Sequence, residues 1–112
     1  MAAIIVFTTL PDLSSAVKLA DTLVNARLAA CVHTLPAGLS VYRWNGKVEH
    51  VNEVSVVIKT TQNAYPEIEK AIRASHPYDL PEILAVPVTA GLPAYLEWLD
   101  AETKDSKMRN SL

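Results

Sequence analysis

Hydrophobic and polar positions divide the chain into short segments with different periods. Residues 3–9 are an unbroken apolar and β-branched run, which is typical of a central strand buried on both faces. The next segment repeats apolar residues at helical spacing. Asp12 is placed to cap its first turn, and Arg27 suits its C-terminal end. The pattern therefore predicts a central strand followed by an amphipathic helix.

A long β-hairpin is predicted next. Residues 29–44 alternate in polarity and are interrupted at positions 36–38, where a proline and a glycine indicate a bend. Asn45-Gly46 is a strong signal for a type I′ turn, and the return strand covers residues 47–61. Arms of about 15 residues would be near 50 Å long, whereas a domain of this size is only ~35 Å across. The hairpin should therefore overhang its own core.

The remaining pattern predicts a helix, a stiff loop, a strand and a last helix. Asn63 is the expected cap of the second helix, which ends at His76-Pro77. Two prolines stiffen the loop at residues 76–82. The strand at residues 83–88 should lie at a sheet edge, because Pro87 has no N–H to donate. In the helix at residues 92–102, Trp98 is expected in the core, together with the inward-facing Leu92, Tyr95, Leu96 and Leu99.

The order β, α, β, β, α, β with an extra C-terminal helix predicts an α+β, ferredoxin-like fold. We expect one domain over residues 1–112, with a polar tail at about 104–112. In the return strand both alternating sets contain apolar side chains, so the helix-free face of the sheet also needs a cover. Another copy of the chain is the simplest cover, which predicts an oligomer.

Composition narrows the possible functions. Half of the residues are hydrophobic, a fifth are charged, and the net charge is -2, so no basic footprint for nucleic acid exists. The most apolar stretch, residues 80–99, is interrupted by prolines and glutamates, which argues against a membrane span. Cys31 cannot form a disulfide within the chain, and the first residues lack the basic start of a signal peptide. A cytoplasmic location is expected.

Cys31 and His33 are the strongest indication of metal chemistry. They lie two apart on a predicted strand, so both side chains leave the same face and could reach copper or another soft divalent cation. A third donor would come from His50, His76, a carboxylate or a symmetry-related copy. The alternative is that Cys31 is a buried core residue and His33 an ordinary polar group.

The loop at residues 76–82 is the second candidate site. It carries His76, Tyr78 and Glu82 on a rigid frame, which favours a preorganised binding site over a simple helix cap and turn. Glu53 and Lys59 share one face of the return strand, about 20 Å apart if the strand is regular. They either line a cleft between subunits or are solvated charges.

Tyr42 and Trp44 share a face near the hairpin tip. Aromatic side chains at such a position favour anchoring in a neighbouring subunit over a simple exposed cross-strand pair.

Three motifs together resemble the CutA family of divalent-cation tolerance proteins: RLAACV at 27–32, YRWNGK at 42–47 and HPYDLPEI at 76–83. The resemblance implies a ferredoxin-like homotrimer whose hairpins pair between subunits, a cytoplasmic setting and a role in copper and heavy-metal tolerance. It also implies a likeness to PII-type signalling trimers, with Tyr42, Trp44, Glu53, Lys59, Tyr78 and Glu82 as cleft candidates for a small ligand. The resemblance to this family implies no enzymatic reaction.

Three other functions are open at this point. An acylphosphatase-like enzyme is disfavoured, because no glycine-rich phosphate cradle follows the first strand. An RNA-binding module is disfavoured, because the central strands offer only Phe7 for stacking. A structural trimer that anchors other proteins, with no physiological metal, remains an alternative.

Overall fold

The computed structural model describes residues 2–103, and the predicted polar tail at 104–112 lies outside them. The fold is α+β. Its elements are β1 Ala3–Leu10, α1 Leu13–Asn25, β2 Cys31–Thr34, β3 Gly38–Trp44, β4 Lys47–Thr61, a 3-10 turn at Gln62–Ala64, α2 Tyr65–Ser75, β5 Leu84–Pro87 and α3 Pro93–Glu102.

The strands form an antiparallel sheet in the order β2-β4-β1-β5, and β3 pairs with the outer part of β4. β1 therefore lies between two partners, as its apolar run predicts. β5 lies at the edge, as Pro87 predicts. Because β4 spans the whole length of the sheet, it joins the core to the hairpin.

The core lies between one face of the sheet and helices α1 and α2. The register pairs Val6 with Ile58 and Leu10 with Val54, and all four side chains are buried. The helices contribute the buried residues Ala16, Leu19, Leu23, Ile68 and Ile72. The second face of β1 is only partly buried in the single chain, because Ile5 and Phe7 have no helix of this pair above them.

The hairpin formed by β3 and β4 extends from the core, but only β4 has the predicted length, with 15 residues. β3 has 7 residues, because the predicted first arm is divided into β2 and β3. Asn45 and Gly46 have φ angles of 51° and 80°, which fits a type I′ turn. Residues 47–53 of β4 pair with β3, whereas its later residues pair with β1 and β2. The described chain measures 45 × 30 × 24 Å. We call residues 38–53 the hairpin arm.

Arg27 corrects one expectation about the end of α1. Asp12 caps the start of this helix as predicted, with its carboxylate accepting a hydrogen bond from Ser15 N at 2.8 Å. Arg27, however, lies beyond the C-cap with a φ of 59°, and its guanidinium donates to Ala101 O at 2.6 Å. The Arg27 guanidinium therefore caps the C-terminal end of α3.

Two further expectations about the helices are wrong. Asn63 is not the N-cap of α2, because residues 62–64 form the 3-10 turn and Ala64 takes the cap position without a side-chain hydrogen bond. In α3, Leu99 is buried, but the exposed fractions are 71% for Leu92, 40% for Tyr95 and 43% for Trp98. This helix contacts β4 and β1, but most of its apolar side chains stay exposed.

No helix within residues 2–103 is long and apolar enough to cross a membrane.

Candidate functional site

The hairpin arm presents one set of side chains on the sheet face that lies opposite α1 and α2. Side chains alternate along a strand, and the register pairs Gly38 with Glu53 and Tyr42 with Glu49. Ser40, Tyr42 and Trp44 therefore share a face with Val51 and Glu53. The same face continues into the sheet at Thr9, whose hydroxyl donates to Glu53 Oε2 at 3.2 Å.

The loop at residues 76–82 folds over this face and closes one side of a groove of about 740 Å³. The groove brings together five of the six residues that the resemblance suggests for a small ligand: Tyr42, Trp44, Glu53, Tyr78 and Glu82. The other lining residues are Thr9, Ser40, Val41, Val51, Asp79, Leu80 and Pro81. The size is within the range of about 300–1,000 Å³ that small-molecule sites occupy.

His76 fixes this loop to the sheet. Its Nε2 lies 2.6 Å from Thr9 O, and the backbone N–H of Tyr78 donates to its Nδ1 at 3.2 Å. A carbonyl only accepts and an amide N–H only donates, so the ring carries its proton on Nε2. The ring also contacts that of Tyr78, with centroids 4.7 Å apart. Both nitrogens are thus occupied, and a metal ion could reach His76 only after one of these hydrogen bonds breaks.

Glu53 and Tyr78 form the polar centre of the groove. Glu53 is only 8% exposed. Burial, then the charge of Glu53 and its hydrogen bond with the phenol, raise the pKa of Tyr78, and the neighbouring Tyr42 adds to the shift. Within residues 2–103, the partners of the Glu53 carboxylate are Thr9 and Tyr78, and no lysine, arginine or histidine forms an ion pair with it.

Sequence reasoning missed several lining residues. Ser40 and Val51 could have been found, because each lies two positions from Tyr42 or Glu53 on the same strand, so its side chain is on the same face. Thr9 could not, because its position depends on the register between β1 and β4, which no local pattern specifies. Asp79 lies in the predicted loop, and only the loop's path over the sheet places it at the groove.

Lys59 lies apart from the groove. It pairs with Cys31 on β2, and its ammonium lies 5.7 Å from the centroid of the Tyr95 ring. The Tyr95 ring in turn contacts Trp98, with centroids 5.4 Å apart. Lys59 is therefore part of the contact between β4 and α3.

The predicted metal donors lie in two places. Cys31 and His33 pair with Lys59 and Val57, so they share one face of β2 as predicted. His76 contacts Thr9, which pairs with Ser55, four residues from Lys59 along β4 and thus about 13 Å away. In the part of the chain that the structure describes, no three His, Cys, Asp or Glu side chains form a group that could hold a metal ion.

Comparison with known proteins agrees with this architecture. Residues 4–102 match the family profile described as "CutA1 divalent ion tolerance protein". The chain belongs to the CutA1 family. The crystal structure of CutA1 from Oryza sativa has a TM-score of 0.92 and 37% sequence identity, and the alignment covers 95% of this chain and 97% of that one.

Curated CutA1 relatives show the same extent of similarity. The divalent-cation tolerance protein CutA of Thermus thermophilus is 41% identical, over 88% of this chain and 96% of its own length. The chloroplastic CutA of Arabidopsis thaliana is also 41% identical over 92% of this chain, but the chain spans only 57% of its length. The family description and the name of the Thermus thermophilus relative refer to tolerance to divalent ions and to no enzymatic reaction.

Proposed function

We propose that this chain acts in tolerance and response to divalent and heavy metals, copper among them, as a non-enzymatic cytoplasmic homotrimer. The match of residues 4–102 to a divalent ion tolerance family supports this proposal more than any other observation. The fold is ferredoxin-like in this proposal, which the sheet order β2-β4-β1-β5 and the position of α1 and α2 on one face support.

The hairpin arm supports the trimer. Leu39, Val41 and Val48 lie on its second face with exposed fractions of 64%, 56% and 53%. Covering each of them would contribute roughly 1.5 kcal/mol or more, depending on how fully it is buried. Arms that pair between subunits would bury these side chains and place the groove beside a second copy.

Copper or another divalent cation would bind at Cys31 and His33. A thiolate and an imidazole on one strand face suit a soft ion, but two donors do not close a site. The third donor would come from another copy, through His50 or a carboxylate. His76 stays an alternative donor only if it leaves Thr9 O.

Competition for Cu(I) against a coloured chelator under anaerobic conditions tests this site. We expect Cys31→Ala and His33→Ala each to weaken binding by about tenfold or more, because each removes one of few ligands. Asp21→Asn, an exposed charge change on α1, serves as the matched control and should bind as the wild type does. Equal affinity of the wild type and Cys31→Ala would discard the Cys31 site.

A second candidate function is PII-like signalling, in which a small molecule binds the groove between subunits. The observation that favours it is the groove itself, where five suggested ligand residues meet. A structural trimer without a physiological metal is the remaining alternative. It predicts neither copper binding nor ligand binding by the purified trimer.

A further inference from the structure

We propose that the groove binds a small organic cation, an alkylammonium or quaternary ammonium ion, with its charge beside Glu53 and its carbon atoms against Tyr42 and Trp44. The proposal rests on the groove being a ligand site, as in the second candidate function above. It does not rest on copper binding by Cys31.

The first argument is the charge of Glu53. Glu53 is a buried residue, and a buried carboxylate normally has a cationic partner, because removing an ion from water is costly unless it is paired. Here only two neutral hydroxyls, those of Thr9 and Tyr78, approach it within the described residues. A carboxylate can accept about four hydrogen bonds, so Glu53, which lines the groove, keeps acceptor capacity. A bound cation would supply the missing charge.

The second argument is the composition of the walls. The charged lining residues are Glu53, Asp79 and Glu82, and the lining contains no lysine, arginine or histidine. The nearest bases on the same face of β4, Lys47 and Lys59, are each six positions from Glu53 and thus about 20 Å away. The groove is therefore negatively charged from its floor to its loop side.

The third argument is the aromatic content. Tyr42 and Trp44 line the groove, and their exposed fractions in the single chain are 40% and 42%. Tyr78, on the facing loop, contributes a third ring. An ammonium group over the face of such rings is attracted by their quadrupole, most strongly for tryptophan and where water is excluded. Carboxylate and aromatic side chains together are the chemistry that recognises organic ammonium ions.

The donor set favours an organic cation over a metal ion. Metal ions need several His, Cys, Asp or Glu donors within about 2–2.6 Å of one point. No group of three such residues exists in the described part of the chain. The groove is also far larger than a dehydrated metal ion requires, at about 740 Å³.

Tetramethylammonium titration of the full chain tests the proposal. The background is Trp98→Phe, which leaves Trp44 as the only tryptophan, so its fluorescence reports on the groove. Calorimetry at constant ionic strength gives the affinity. We expect tetramethylammonium to bind at millimolar concentration or below, and Glu53→Gln to weaken binding by about tenfold or more. tert-Butanol, a neutral molecule of similar shape, should not bind measurably.

Two controls make the outcome decisive. Glu97→Gln removes an exposed carboxylate from α3, outside the groove, and should leave the affinity unchanged. Circular dichroism checks folding. If Glu53→Gln does not fold, Trp44→Leu at an exposed position replaces it, followed by calorimetry and expected to weaken binding by about fivefold or more.

The proposal is overturned if tetramethylammonium fails to bind at about 50 mM, if tert-butanol binds equally well, or if Glu53→Gln binds like the wild type. Light scattering and Cu(I) competition on the same samples separate the two proposals. A copper-binding trimer without ammonium binding overturns only this inference. Ammonium binding without copper binding overturns only the copper function.

Discussion

At the scale of single residues, the pair of Tyr78 and Glu53 shows how the groove is held in shape. The phenol keeps its proton because the ionised form would be both partly buried and beside a carboxylate. Thr9 contacts the same carboxylate through its hydroxyl and the His76 ring through its carbonyl. Strand β1, the loop and the hairpin arm therefore meet at the side chains of Thr9, Tyr78 and Glu53.

The raised pKa of Tyr78 predicts a stability change at alkaline pH. Because the pKa in the folded chain is above that in the unfolded chain, the contribution is complete below pH about 10 and is lost as pH rises through the folded value. Absorbance at 295 nm, compared with Tyr78→Phe, gives the titration of this residue.

Glu53→Gln should bring the pKa of Tyr78 part of the way back to its ordinary value, because it removes the negative charge and leaves the burial. Glu97→Gln is the control and should leave the titration unchanged. An identical Tyr78 titration in Glu53→Gln and the wild type would contradict this account of the pair.

At the scale of elements, the hairpin turn depends on backbone conformation alone. Gly46 has a φ of 80°, and a Cβ atom added there would meet nothing within 4 Å. A substitution at this position therefore tests the left-handed conformation without a steric clash.

Gly46→Ala should lower the free energy of unfolding by roughly 1–2 kcal/mol, since an L-residue is strained in the left-handed region. Gly38→Ala is the matched control. Its Cβ also meets nothing within 4 Å and its φ lies outside that region, so we expect a change within about 0.5 kcal/mol. Urea denaturation measures both, and equal effects of the two substitutions would contradict the explanation.

The elements whose existence could be predicted are those with strong local signals. The apolar run of β1, the Asp12 cap and the Asn45-Gly46 turn each encode their structure within a few residues. The predictions from sequence fail where contacts between distant segments determine the position of a residue. Trp98 has a helical position typical of a core residue, but most apolar side chains of α3 stay exposed. Thr9 joins the groove only through strand register.

At the scale of the whole molecule, the exposed apolar side chains of the hairpin arm are the basis of the proposed assembly. A surface of this kind on a projecting element is typical of a contact between copies. Leu39, Val41 and Val48 lie on the second face of the arm, so pairing of arms through this face would remove them from water and leave the groove face accessible.

Leu39→Lys should shift the assembly toward monomers, because it places a charge among these apolar groups. The exposed position predicts a change of only about 0.5 kcal/mol in the stability of the chain itself. Leu13→Lys, at a 57% exposed position on α1, is the control and should leave the assembly intact. Light scattering at micromolar concentration measures both, and a monomeric wild type would refute the proposed trimer.

The capping of α3 by Arg27 has a consequence for the order in which the chain folds. The hydrogen bond to Ala101 O joins positions 74 residues apart in the chain. Its donor, Arg27, lies in the turn between α1 and β2 and has a φ of 59°. Long-range contacts form late, because closing a long loop costs conformational entropy before the contact contributes any stabilisation. The C-terminal helix should therefore dock late, as should β5, whose pairs with β1 join residues that are still further apart in the chain.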